Sequence, residues 1–157
     1  MKMELWTIGK TAFTYIEEGV RIYDNRIKRY QPFKQVVIPD IKGAKKMNTQ
    51  VLKIKEGELV LKKLEATDYL VLLDQGGKEL TSTKLANWLQ SHLNQGTRRI
   101  IFLVAGAHGA SGAIKRRANF TWSMSALTFS HQMIRLFIVE QIYRGISILN
   151  GHPYHNE

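Results

Sequence analysis

The chain has 157 residues, 44% of them apolar, no cysteine and a formal net charge of +10. That length suits one domain with its own core, the apolar content excludes a disordered chain, and the lack of cysteine excludes disulfides, thiol catalysis and thiolate metal sites. The basic excess favours a polyanionic partner, nucleic acid first, because each neutralised phosphate releases counterions.

The start MKMELWTIGK lacks the apolar run of a secretion signal, and no later run approaches a membrane span. A cytoplasmic protein without membrane contact is therefore expected. LWTIG, residues 5 to 9, reads as a first strand ending at a glycine. From about Phe13 to Arg29 an apolar face of Ile16, Val20, Ile22, Tyr23 and Ile27 alternates with charged positions at helical spacing. FKQVVIPD, residues 33 to 40, looks like a second strand closed by Pro39, and the basic stretch 41 to 48 like a loop. A second amphipathic helix is expected over Thr49 to Leu64.

YLVLL, residues 69 to 73, is an unbroken apolar run of strand length, as a strand buried on both faces requires. The loop 74 to 78 follows, then a helix that Ser82 can cap and that runs to Gly96. RIIFLVA, residues 99 to 105, is a second buried strand, and it too opens into glycines, at 106, 109 and 112, before a short helix from Ala113 to Ala118. Strand, glycine turn and helix in repetition predict an α/β protein with a parallel sheet and crossover helices. Ligands in such sheets bind at the carboxyl ends of the strands, here lined by loops 74 to 78 and 106 to 112 and by Ser125 to Ser130.

The last long helix, about residues 131 to 150, is apolar on most sides, with Ser130 as its capping hydroxyl and Gly151 at its end. It nevertheless carries Arg135, Glu140 and Arg144. At about 100° per residue, His131 lies near Arg135 and Glu140 near Arg144, while the two arginines point opposite ways. Glu140 and Arg144 form an i,i+4 ion pair on that spacing.

Familiar chemistries are missing. AGAHGASG lacks the order of a dinucleotide fingerprint, no phosphate loop or nucleophile elbow occurs, and the five histidines show no metal-ligand spacing. No metal is expected.

LDQGGKELTS at 73 to 82, FLVAGAHG at 102 to 109, SMSALTFSHQMIRLFIVEQIYRG at 123 to 145 and HPYH at 152 to 155 together resemble the RlmH family. These are ribosomal RNA large subunit methyltransferases H of the SPOUT superfamily. The resemblance runs the whole length, 1–157, as one domain. It implies an S-adenosylmethionine-dependent enzyme that methylates N3 of a pseudouridine in helix 69 of 23S rRNA within the 70S ribosome. The fold implied is a SPOUT-type α/β parallel sheet with helices on both faces and a C-terminal trefoil knot, roughly within 100–157. A homodimer is implied as well, and it gives the all-round apolar C-terminal helix a second surface to cover.

Carried over by position, cofactor binding falls on Leu73, Gly106, Ser125, Ala126, Leu127, Thr128, Phe129 and Ser130. The chain departs from the family pattern at Ala105, where a second glycine is usual, and at Ser130, where a proline is. An imide nitrogen must lose its proton before it attacks a methyl group, so a base or an anion stabiliser is needed. His131, Arg135, Arg144, Tyr154 and His155 are the residues for that work. Lys42, Lys45, Lys46 and the cluster Lys115, Arg116 and Arg117 are read as phosphate contacts. Alternatives are a SPOUT enzyme with another RNA target and a catalytically silent RNA-binding homologue.

Overall fold

In the computed structural model, which describes residues 1–155, five parallel strands form one sheet between two layers of helices. In chain order the elements are β1 (Lys2–Ile8), α1 (Thr14–Ile27), β2 (Phe33–Ile38), α2 (Thr49–Lys63), β3 (Tyr69–Glu79), α3 (Ser82–Asn94), β4 (Arg99–Val104), α4 (Gly112–Arg117), β5 (Phe120–Ser123) and α5 (Met133–Leu149). A single 3-10 turn, Ala44–Lys46, sits in the basic loop after β2. The strand order is β2-β1-β4-β3-β5, every neighbouring pair parallel.

Alternation along the strands sends Met3, Leu5, Val71, Ile100 and Phe102 into a core shared with α1, α3 and α5. Trp6, Leu70, Leu72, Ile101 and Leu103 face the opposite side with α2 and α4. Burial on both faces is why β3 and β4 read as unbroken apolar runs rather than alternating ones. The α5 helix packs against both α1 and α3. Its Gly145 leaves room for Leu85 and Leu89 of α3.

Two local expectations are corrected, and one strand has no counterpart among them. Residues 74 to 78 are not a plain loop: β3 continues to Glu79, pairing with Trp122 of β5 once at Leu73 and again at Lys78, so the intervening residues form a bulge. Gly77 suits that bulge because a Cβ there would stand 2.6 Å from the Thr121 carbonyl oxygen. Next, β5 carries no pattern of its own. Its four residues, FTWS, are placed by Asn119, whose amide donates to the Leu70 carbonyl and whose side-chain oxygen accepts from the Leu70 amide. Finally, the cap of α3 is Thr81 rather than Ser82, its hydroxyl accepting from the Lys84 amide at 3.2 Å.

The amino ends of the strands are tied by charge. Asp68 receives Arg99 through both Nε and Nη2 at 2.6 Å, and Arg99 also faces Glu4 and Glu65. Burial opposes ionisation of Asp68, but the Arg99 hydrogen bonds and charge and the Glu65 amide outweigh it, so its carboxyl titrates below the usual range. A carboxyl depressed in the folded state stabilises above its unfolded pKa and loses that contribution as pH falls through the folded value. Asp68→Ala is therefore expected to cost about 3 kcal/mol at pH 7, the size of breaking a buried pair. The deficit should shrink as pH falls below about 4, where the unfolded carboxyl takes up its proton ahead of the folded one, and should vanish below the folded value. Denaturant titrations of both proteins at pH 7 and pH 3 measure it, and an equal deficit at both would remove the charge from the account.

Candidate active site

A cleft of about 250 Å³ opens at the carboxyl edge of β3, β4 and β5. Three stretches wall it: Leu73 to Gln75 at the end of straight β3, Val104 to Gly109 after β4, and Trp122 to Phe129 after β5. His131 and Ile134, at the start of α5, close one side. Of the residues assigned to cofactor binding by resemblance, Leu73, Gly106, Ser125, Leu127, Thr128 and Phe129 line the cleft.

Ala126 and Ser130 are not on its wall. Ser130 instead accepts from the Met133 amide at 3.1 Å, while its carbonyl takes the Ile134 amide, so the hydroxyl does the turn-fixing that a proline would do. The segment 125 to 130 is braced from within and without. The Ser125 hydroxyl accepts from the Leu127 amide at 3.0 Å, and Gln75 donates to the Thr128 hydroxyl across the cleft.

Gly106 has a reason to be glycine that lies outside the cleft. A Cβ there would point at the Glu56 carboxylate of α2, 2.7 Å from Oε2. Burial, with Asp40 nearby, raises the Glu56 carboxyl above its usual range, against a smaller opposing effect of His108. On the other wall, burial works against ionisation of Asp74, yet the Gly76 amide and the Lys115 ammonium outweigh it and hold that carboxyl low. The cleft thus keeps an anionic group in a lining that mixes apolar side chains with Gln75, Ser123, Ser125, Thr128 and His131. Asp74 was not singled out from sequence, where it read as the first position of a turn.

His131 is half-buried, and burial, then the charge of Arg135, lowers its pKa below the usual histidine value. Its Nε2 faces the Gln132 amide nitrogen at 3.3 Å. Because the Gln132 oxygen accepts from the Ala12 amide, that nitrogen is a donor, and His131 is the neutral tautomer with its proton on Nδ1.

Arg135 is not on the cleft wall. It is 1% exposed, and its guanidinium donates to the carbonyls of Ile8 and Gly9 and to the Thr11 hydroxyl, with Nε on the His131 carbonyl. It satisfies the carboxyl end of β1 and fixes the start of α5 to it. Arginine suits that place because it spreads one charge over several donors in a fixed fork.

The remaining three residues assigned to catalysis lie together elsewhere. Glu140 accepts from Arg144 through Nε at 3.1 Å and through Nη2, and from the Tyr154 hydroxyl at 3.1 Å. The Arg144 guanidinium lies over the Tyr154 ring at 4.9 Å, and its Nη1 faces His155 Nδ1 at 3.4 Å. Burial first, then the Tyr23 hydrogen bond and the Glu140 charge, push the Tyr154 phenol well up, so it stays protonated near neutral pH. Ile134 and Arg144 are ten residues apart on one helix, about 15 Å along its axis. The structure brings His131 to the cleft and gathers Arg144, Tyr154 and His155 at a second place on the same chain.

The basic residues divide as well. Lys115 is paired to Asp74, and Arg117 donates to the carbonyls of Glu65 and Asp68. Lys42, Lys45 and Arg116 are exposed, with Lys46. Among the described residues no group of three or more His, Asp or Glu converges as metal ligands do, and no helix is long and apolar enough to cross a membrane.

An all-parallel sheet with a ligand-sized cleft at its carboxyl edge is the architecture of an α/β protein that binds a small molecule at its strand ends. The chain belongs to the SPOUT methyltransferase family, whose profile, described as "Predicted SPOUT methyltransferase", matches residues 1–155. It is 48% identical over 157 residues to a Parabacteroides distasonis protein, all of both chains being covered. It is 43% identical over 156 residues to a protein of Cytophaga hutchinsonii, covering 99% of this chain and 100% of that one. A Bacteroides thetaiotaomicron protein is 43% identical over 157 residues, again covering both in full. Each of the three bears the name "Ribosomal RNA large subunit methyltransferase H".

Proposed function

We propose that this chain is an S-adenosylmethionine-dependent methyltransferase of 23S ribosomal RNA. Its target is N3 of a pseudouridine in helix 69, methylated on the assembled 70S ribosome in the cytoplasm by a homodimer whose segment 100–157 is threaded as a trefoil knot. The observation that carries this reading is the cleft itself: Leu73, Gly106, Ser125, Leu127, Thr128 and Phe129, which line it, are among the residues the family resemblance assigns to the cofactor.

The residues fit such a ligand. Leu73, Val104, Trp122 and Leu127 offer apolar surface for a planar base, and Asp74 keeps a negative charge where a cationic ligand binds. When bound, the cofactor supplies an electrophilic methyl group on a sulfonium. The protein's own work is to orient the imide, exclude water and manage its proton and developing charge. Arg144 is the cation for the enolate oxygen or a phosphate, and His155 and His131 are the imidazoles. Tyr154, held as a phenol, serves as a donor rather than a base.

Two features favour the dimer. Phe13, Tyr15 and Leu127 are exposed apolar side chains, and Phe13 stacks on Tyr15, whose hydroxyl reaches Met133. Along α5, Ile134, Phe137, Gln141, Arg144 and Ile148 form a stripe that one subunit only half covers.

Transfer of labelled methyl from S-adenosylmethionine to 70S ribosomes, compared with free 23S rRNA, tests the reading. Incorporation into the large-subunit RNA of ribosomes is expected, and none on either substrate would sink it. Cofactor affinity should be flat near neutral pH and weaken only below about pH 6.5, the ordinary histidine value, because protonating His131 adds a cation beside a cationic ligand. Calorimetry across pH 5 to 8 reads this, and His131→Gln should flatten the acid limb.

The geometry at Gly106 changes what its substitution means. Gly106→Ala displaces the end of the Glu56 side chain, so the variant should lose affinity and Gly106→Ala/Glu56→Ala should regain it. The coupling is expected near tenfold, within the roughly 0.5–3 kcal/mol seen for residues in contact. Equal losses in the single and double variants would place the clash in the cleft instead.

A further inference from the structure

A chain end normally frays. Here residues 152 to 155 are held, with Pro153 and Tyr154 in a turn. The last backbone tie is the His152 amide to the Ser147 carbonyl, at 3.0 Å, just after Gly151 turns with φ of 65°. Beyond it the tail is tied to the rest of the chain by side chains.

Two of those side chains come from the far end of the sequence. Tyr23, on α1, and Tyr30, in the turn that follows it, are seven residues apart. Tyr30 Oη lies 3.1 Å from His152 Nε2, and the two rings meet edge on at 5.5 Å. Tyr23 Oη lies 2.8 Å from Tyr154 Oη. The direction of the second bond is set by its neighbour. Glu140 only accepts, so the single Tyr154 proton goes to Glu140 and Tyr23 donates its own to the Tyr154 oxygen. A directed chain of donors then runs from α1 through the tail to α5. Tyr143 fills the space between, its ring 5.9 Å from Tyr23 and 4.8 Å from Tyr154.

We propose that Tyr23 and Tyr30 are positioning residues that fix the tail on its own subunit, so that Tyr154 and His155 are presented in one pose. Neither tyrosine lines the cleft, and neither is buried deeply enough for its hydroxyl to be needed by the core. Their rings serve packing; their hydroxyls serve the tail. A tail pinned at His152 and again at Tyr154 has lost most of its freedom before any partner or substrate arrives, which is the ordering that a catalytic group must otherwise undergo during reaction. The functional part of this inference rests on the methyltransferase reading; the clamp itself does not.

The test uses full-length Tyr23→Phe, Tyr30→Phe and the double variant, which keep the rings and remove only the hydroxyls. Carboxypeptidase trimming, followed by mass spectrometry, measures how often the tail detaches, without any activity being involved. Trimming past Tyr154 should be faster in each variant and fastest in the double, with melting temperature and calorimetric affinity for S-adenosylmethionine unchanged. On ribosomes, kcat should fall at least about tenfold in the double variant while the KM for cofactor holds, as misplacement of a reacting group predicts. Trimming at the wild-type rate in all three variants would overturn the clamp. Faster trimming with wild-type kcat would overturn the positioning role. A wild-type protein with no methyl transfer would refute the enzymatic reading, and trimming would still decide the clamp.

Discussion

Mixing a His131→Ala protein with an Arg144→Ala protein, each inactive alone, should restore methyl transfer to about a quarter of the wild-type rate. Random exchange makes half the dimers mixed, and in a two-fold dimer that shares sites each mixed dimer has one site with both residues intact. The reason lies in the spacing of the two groups. His131 stands at the cleft just before α5, whereas Arg144, close to Tyr154 and His155, lies ten residues beyond Ile134 on that helix, about 15 Å along its axis. A base or an anion stabiliser must lie within hydrogen-bond reach of the reacting atoms. One chain cannot bring both groups to one nucleotide, whereas a partner packed along α5 can bring its own tail end to the neighbouring cleft. Co-expression of differently tagged chains, followed by purification of the mixed dimer, gives the cleanest reading. A mixed dimer as inactive as its parents would show that each chain works alone and that the tail cluster has another task.

The sheet was legible because burial leaves its mark on sequence. Strands β3 and β4 are covered on both faces, so YLVLL and RIIFLV stand out as apolar runs, and the helices between them keep their periodicity. What failed to show was set by tertiary contact. The four residues of β5 owe their place to Asn119 and Leu70, forty-nine positions apart, and a four-residue strand is too short to display alternation. The continuation of β3 past Asp74 looks like a turn because a bulge needs the same small residues that a turn does. In β1, Glu4 hides a strand residue: at 2% exposure it reads as a surface charge, but Trp6, Lys2 and Arg99 satisfy it.

The site was legible in parts for similar reasons. Helical spacing pairs Glu140 with Arg144, and the structure has that pair. Spacing also sets Arg135 apart from Arg144, but not what each does. Arg135 meets three groups between Ile8 and Thr11, a partnership across more than 120 residues that no local pattern contains. Its burial, with its guanidinium spent on the carbonyls of Ile8, Gly9 and His131 and on the Thr11 hydroxyl, argues for a structural clamp rather than a hand in the chemistry. Asp74, Tyr23 and Glu56 were passed over because an acid after a strand, a tyrosine on an amphipathic helix and a glutamate on another are ordinary. Only the fold puts the first in the cleft, the second on the tail and the third behind Gly106.

Deleting residues 153–157 should leave a folded dimer whose methyl transfer is reduced at least about a hundredfold, the usual loss when an acid–base or positioning group is removed. Folding should survive because the helix ends before the cut: Gly151 and the His152 amide close α5 on the Ile148 and Ser147 carbonyls, and those bonds remain. Glu140 loses the Tyr154 hydroxyl but keeps Arg144 and Gln141, so no buried carboxylate is stranded. Cofactor affinity should hold as well, since the three stretches that wall the cleft stay whole and the tail is asked only to meet the reacting nucleotide there. The loss therefore falls on the chemical step, and His155→Ala separates its causes. If the imidazole takes the imide proton, activity of that variant should recover as pH rises, because the imide increasingly ionises in bulk solvent. If the ring only holds Arg144 in place, the deficit should stay constant with pH. Wild-type turnover by the truncated protein would remove the tail from the mechanism and leave the cleft, with His131 and Asp74, to account for catalysis.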